Sequence, residues 1–220
     1  SAFNRLISEN QKKVFSKIFN TLETGLSKLG DSTSNQTKAI SELIQLIKDI
    51  PTDGKQDYDV LGFIYEYLIS NFAANAGKKA GEFYTPRAVT EFMAQMIKPK
   101  IGEQMADFAC GTGGFLTSTI AHMGSITTTE QLNTLQTTIF GWEKKPLPYL
   151  LAMTNLILHD IETPQIRHIN SLNRPVTDYS AKDRVDVIVA NPPFGGAEDD
   201  AVKQNFPAEF RTSETADLFL

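Results

Sequence analysis

Apolar residues recur at spacings of three and four along the first third of the chain. From residue 3 to residue 29 they fall at Leu6, Ile7, Val14, Phe15, Ile18, Phe19, Leu22, Leu26 and Leu29. That is the period of one helical face, and Gly30-Asp31 ends the run. Residues 33–35 have turn composition, and residues 39–50 then repeat the helical spacing until Pro51 stops it. A third helix is predicted over residues 58–74, with Val60, Leu61, Ile64, Tyr65, Leu68, Ile69 and Phe72 on a broad apolar face. Residues 1–80 are therefore expected to form a helical region whose role is packing, with a first helix long enough to pair with a partner's helix as well.

Beyond a short polar linker at residues 75–79 the pattern changes. Thr85-Pro86 predicts an N-cap and first residue for a helix over residues 87–97. Short apolar runs at residues 104–109, 138–142, 165–169 and 185–190 predict buried strands. Helices are predicted over residues 114–123 and 146–159, and the polar stretch at residues 124–137 reads as an insertion. Strands alternating with helices predict an α/β fold with a parallel sheet.

The fourth apolar run stops at Asn191-Pro192-Pro193-Phe194. The prolines can neither continue a ladder nor enter a helix, so Asn191 is presented at a strand's carboxyl end, the edge where ligands bind in an open α/β sheet. An oriented carboxamide, a stiff backbone and an aromatic ring suit a planar nitrogen donor. An exocyclic amine can donate to the Asn191 oxygen and to a carbonyl fixed by the prolines, while Phe194 stacks on the ring plane.

A second candidate lies after the first strand, at Gly111-Thr112-Gly113-Gly114-Phe115. Its glycines let the backbone approach a ligand and aim helix-start N–H groups at it. The turn departs from the dinucleotide pattern, because position 116 is Leu. Asp107 at the strand end can draw a cationic amino group, and Glu143 at the end of the next strand can accept two ribose hydroxyls. Together they favour S-adenosylmethionine over NAD. Lys144 stands where an apolar residue could have packed on adenine.

With 220 residues, 41% of them hydrophobic, the chain can hold one large or two modest domains. It carries no signal-peptide pattern and no apolar run long enough to span a bilayer, so a cytoplasmic protein without membrane contact is expected. Cys110 is the only cysteine. It excludes an internal disulfide and gives no metal cluster, so no metal is expected, and methylation of an amine needs no thiolate, so Cys110 reads as a packing residue. His122, His159 and His168 align with no motif. Residues 1–80 hold 10 Lys and Arg against 9 Asp and Glu, a net of +1, whereas residues 81–220 hold 11 against 17, a net of −6. The acidic part is the part with the chemistry, so weak binding to duplex DNA is expected of the chain alone.

The segment Gly-Glu-Phe-Tyr-Thr-Pro-Arg at residues 81–87, then Asp-Phe-Ala-Cys-Gly-Thr-Gly-Gly-Phe-Leu at 107–116, then Asn-Pro-Pro-Phe at 191–194, resembles the modification subunit of type I restriction-modification systems. The resemblance implies a Rossmann-like, S-adenosylmethionine-dependent methyltransferase fold. Here the fold would have a partial sheet and follow an α-helical subdomain, with residues 81–220 forming the front of the catalytic domain. It implies that Phe83, Tyr84, Thr85 and Pro86 contribute to the methionine end of the cofactor site, and that Asn170 contacts the cofactor's adenine. It implies N6 methylation of a flipped adenine, with duplex DNA, a specificity subunit, a second modification subunit and an optional restriction subunit as partners. Residues 197–207 are expected to form a mobile polar lid, and a further helix begins near residue 216. Two other readings stay open: an amino-methyltransferase acting on protein glutamine or RNA, and a non-catalytic fragment that only binds cofactor or partner subunits.

Overall fold

The computed structural model describes Lys12, Ser16, Asn20 and residues 25–48, 64–65, 67–71, 84–124, 126–211 and 213–219. The chain divides into two compact units, Ser1–Glu66 and Tyr67–Leu220.

In the first unit, Lys12, Ser16 and Asn20 are helical, and a 3-10 turn at Leu26–Leu29 stops at Gly30. The rest of the first expected helix lies outside the described residues. Helix α1, Thr33–Lys48, begins earlier than the spacing of apolar residues predicts, and residues 33–35 are helical rather than a turn. The reason is local: the Ser32 hydroxyl accepts the Asn35 N–H, which caps the first turn ahead of any apolar signal. Of the third expected helix, Ile64 and Tyr65 in this unit and residues 67–71 in the second unit are helical, and its remainder lies outside the described residues.

Among its described residues the second unit holds four parallel strands: β1 Met105–Asp107, β2 Ile139–Glu143, β3 Gln165–His168 and β4 Val187–Ile188. Their order across the sheet is β3-β2-β1-β4. Met105 pairs with Ile139 on one side and Val187 on the other, and Glu143 pairs with His168. All four strands sit where apolar runs predict them, although β4 is only two residues long. The helices are α2 Arg87–Ile97, α3 Gly114–His122, α4 Thr129–Thr138 and α5 Pro146–Leu158. The expected insertion is therefore largely helix α4. Thr128 and Gln131 close a reciprocal capping box at its start, and of its two leucines Leu135 is buried and Leu132 half-buried.

Fully buried Met105, Leu116, Ile139 and Leu156 place the core between the sheet and helices α3 and α5. Gly141 sits in the tightest part of it. A Cβ there would lie 2.5 Å from Ile166 Cδ1 and 3.0 Å from both Cys110 Sγ and Leu116 Cδ1. Because the strands are parallel, Asp107, Glu143, Asn170 and Asn191 all emerge at one sheet edge. Because β4 adds beside β1 on the side away from β2, the β1–β4 boundary is a topological switch point, where such sheets open a crevice. No helix among the described residues is long and apolar enough to cross a membrane.

Candidate active site

Strand β1 ends at Asp107, which has only 1% of its surface exposed and does not border the cavity that opens beyond Glu143. Its Oδ1 accepts the Ala109 N–H at 3.0 Å, while Oδ2 is buried without a hydrogen-bond partner. Burial raises the carboxyl to about 7, against the lowering effect of the Ala109 N–H and with some help from the charge of Glu143. An orphaned buried acceptor of this kind suits a ligand carrying an ammonium group.

The chain then turns through Gly111 and Gly113, whose φ angles of 54° and 81° lie in the left-handed region that glycine tolerates. Gly113 donates to the Cys110 carbonyl at 2.7 Å and is the N-cap of α3. The Thr112 carbonyl accepts the Asn155 side chain at 3.0 Å, which ties the turn to α5. Thr112 and Phe115 are buried, and Gly114 starts α3. Phe115 thus packs in the core and does not line the crevice. Burial also pushes the Cys110 thiol well up, which agrees with a packing residue rather than a nucleophile.

From β2, Glu143 accepts the Gly111 N–H through Oε2 at 3.0 Å and the Lys145 N–H through Oε1 at 2.6 Å. The strand-end acid and the glycine turn are thus one assembly. Burial raises the Glu143 carboxyl in spite of these donors. Beyond it opens a cavity of about 270 Å³, whose walls include Glu143, Lys144, Asn170, Asn191, Pro193 and Glu198.

Asn170 follows β3 and is committed on both sides. Its Oδ1 accepts the Leu172 N–H at 3.0 Å, and its Nδ2 donates to Glu198 Oε2 at 2.8 Å. The Ser171 hydroxyl donates to the Phe108 carbonyl, which fastens this turn to the end of β1. Lys144 Nζ also meets Glu198, at 3.1 Å from Oε1 and 2.9 Å from Oε2. The segment expected to be a mobile lid is anchored there, and it continues into helix α6, Asp200–Lys203, before helix α7, Thr215–Phe219. Sequence reasoning missed Glu198 because it stands in a run of three acids, with nothing to single out one of them.

Asn191 stands just past β4, with its Nδ2 3.1 Å from the Thr85 hydroxyl. That contact corrects the expected role of Thr85 as an N-cap. The cap position of α2 is Pro86, with no side-chain cap bond, and the Thr85 hydroxyl is aimed at the Asn instead. Tyr84 and Thr85 are half-buried beside this helix start and Pro86 is exposed, while Phe83 lies outside the described residues. Pro192 and Pro193 are half-buried, and Phe194 is 78% exposed. Asn191 and Glu143 border one cavity, the glycine turn is tied to Glu143 through Gly111, and Asp107 and the exposed Phe194 ring lie outside the cavity lining. The orphaned Asp107 oxygen, the glycine turn and the cavity beside Glu143 fit a nucleoside with an amino-acid tail, as in S-adenosylmethionine.

The chain is 46% identical over 212 residues to the type I restriction enzyme EcoEI methylase subunit of Escherichia coli, a match covering 95% of this chain and 40% of that protein. Among solved structures, one described as a modification subunit of a type I restriction enzyme from Vibrio vulnificus YJ016 superposes with a TM-score of 0.72 at 43% identity, covering 82% of this chain and 38% of that one. A chain from a structural study of complex assembly in the type I R-M system superposes equally well, with a TM-score of 0.72 at 32% identity, over 95% of this chain and 46% of that one. The chain therefore spans less than half the length of these relatives. The family model for N-6 DNA methylase matches residues 56–219, and the chain belongs to that family.

Proposed function

We propose that this chain supplies the front of the catalytic domain of an adenine-N6 DNA methyltransferase, acting as the modification subunit of a cytoplasmic type I restriction-modification complex. Residues 81–220 are the first part of that catalytic domain and residues 1–80 its helical lead-in. The observation that carries this reading is the Asn191 amide, whose donor end rests on Thr85 while its cavity also holds Glu143. The names of the similar proteins, methylase and modification subunits of type I restriction enzymes, support the substrate class.

In this reading, S-adenosylmethionine supplies an electrophilic sulfonium methyl, held with its ammonium group at Asp107, its ribose at Glu143 and its methionine end toward Phe83, Tyr84 and Pro86, with the Thr85 hydroxyl turned to Asn191. The turn at residues 111–114 forms the floor beneath it, with Phe115 packed in the core behind, and Asn170 belongs to the adenine end. The target adenine, flipped from the duplex, stacks on Phe194. Asn191 Oδ1 and the Pro192 carbonyl accept the N6 hydrogens, and Pro193 stiffens the backbone that aims them. Withdrawing those hydrogens raises lone-pair density on N6 and orients it for in-line attack. The N6 proton lost after transfer passes to solvent.

The net charge of −6 over residues 81–220 supports a division of labour. Duplex DNA is gripped and read by a specificity subunit that holds two modification subunits and admits a restriction subunit. The test is transfer of tritiated methyl to adenine in unmethylated DNA by the protein extended to its relatives' length, with and without a specificity subunit. Incorporation at N6 that requires the specificity subunit supports the reading. Incorporation into RNA or protein glutamine, or none with the complex assembled, overturns it.

A further inference from the structure

Glu198 is the least expected wall of the cavity. Its side chain is 5% exposed although it lies in a polar loop, and it meets Lys144, whose side chain is 54% exposed. A carboxylate withdrawn from water this far is costly unless donors surround it. Lys144 Nζ approaches both oxygens, and Asn170 Nδ2 adds a second donor to Oε2 alone. A carboxylate has about four lone-pair sites. Oε1 therefore receives one donor where Oε2 receives two, so an acceptor site remains on the oxygen that Asn170 does not touch.

The position of that oxygen gives it meaning. Glu143 and Asn170 both border the cavity, the first from β2 and the second from β3, and Glu198 bridges to Asn170 from the loop that follows Phe194. A nucleoside whose ribose rests on Glu143 extends its base toward the β3 end, between Asn170 and Glu198. We propose that Glu198 accepts the exocyclic amine of the cofactor's purine and so selects an aminopurine over an oxopurine, with Lys144 and Asn170 as the positioning residues that hold its carboxylate. The proposal rests on the reading that this cavity takes an S-adenosyl ligand. It also accounts for Lys144, which stands where an apolar residue could have packed on the base.

The test compares the affinity of the folded protein for S-adenosylhomocysteine and for S-inosylhomocysteine, in which oxygen replaces the amine, by calorimetry. The wild-type protein should prefer the adenosyl ligand by roughly tenfold or more, because an oxopurine places a second acceptor against the carboxylate. Glu198→Gln should weaken the adenosyl ligand while sparing the inosyl one, so that the preference falls toward unity. Thermal unfolding confirms that the variant is folded. If it is not, Glu198→Asp, which keeps the charge and withdraws it by one methylene, should lower the preference in the same direction. Equal affinity of the wild-type protein for the two ligands overturns the proposal, as does a Glu198 variant that weakens both to the same degree. No binding of either ligand overturns the cofactor reading itself, which separates the two failures.

Discussion

The Asn191 side chain donates through Nδ2 to the Thr85 hydroxyl at 3.1 Å, across 106 residues of sequence. With the nitrogen turned to Thr85, Oδ1 is the end left to accept hydrogens from an amine. Thr85→Val removes the acceptor and lets the amide rotate, and a neutral hydrogen bond is worth about 0.5–1.5 kcal/mol, or roughly two- to thirteenfold in rate. Single-turnover methylation should slow by that factor, Thr85→Ser should restore it, and affinity for S-adenosylhomocysteine should stay unchanged. A loss of that affinity instead would assign Thr85 to the methionine end of the cofactor.

Asn191 and Phe194 should separate kinetically. Asn191→Ala removes an oriented acceptor and should cost on the order of 100-fold or more in the methylation step, by analogy with deleting an oxyanion-hole donor, while cofactor affinity holds. Phe194→Ala removes a stacking surface worth about 1–3 kcal/mol per base, so capture of the flipped adenine should weaken with turnover persisting. Near-normal single-turnover chemistry in Asn191→Ala would reduce Asn-Pro-Pro-Phe to a turn.

Asp107 makes the protein's pH response specific. Its carboxyl is raised to about 7 in the folded state from an ordinary 3.8, chiefly by burial, so the neutral form is the one the fold favours. The associated stability is complete below about pH 4, declines as pH rises toward 7 and then levels, by the linkage of proton binding to folding. Asp107→Asn should remove that decline, visible as a widening advantage of the variant over wild type in urea unfolding as pH rises from about 4 to about 7. An ammonium group bound at Asp107 favours the carboxylate, so affinity for S-adenosylhomocysteine should rise through the same window and be flat in the variant. Parallel curves for the two proteins would separate Asp107 from both effects.

Gly141 predicts a stability defect remote from the reacting groups. A methyl placed 2.5 Å from Ile166 Cδ1 forces repacking beneath the glycine turn, and overpacking of this kind costs about 1–3 kcal/mol. Gly141→Ala should lower the Tm, and adding Ile166→Val, which deletes the clashing atom, should recover part of the loss. Additive effects of the two substitutions would refute the packing argument.

Which parts of this site the sequence discloses follows from the range of the interactions involved. Asp107, Glu143 and Asn191 are legible because each ends an apolar run, and parallel strands bring such ends to one edge. Helix α4 is hidden by its polar composition, although Thr128 with Gln131 carries a capping signal that marks its start. The shift of Thr85 from helix cap to partner of Asn191, and of Glu198 from lid residue to cavity wall, is a matter of tertiary approach. No local pattern encodes a bond between residues 106 apart, or the choice of one acid from three in a row.

The placement of β4 beside β1 also bears on the order of folding. Gln104 donates its backbone N–H to Asp186 Oδ2 across 82 residues, and Thr85 meets Asn191 across 106. Closing loops of this length costs entropy before any contact repays it, whereas the link from Gly111 to Glu143 spans only 32 residues. The Gly111–Glu143 side of the crevice is therefore expected to assemble while the Thr85–Asn191 side is still open. A chain emerging from the ribosome would close the glycine turn on its acid first and bring Asn191 to Thr85 only when β4 docks.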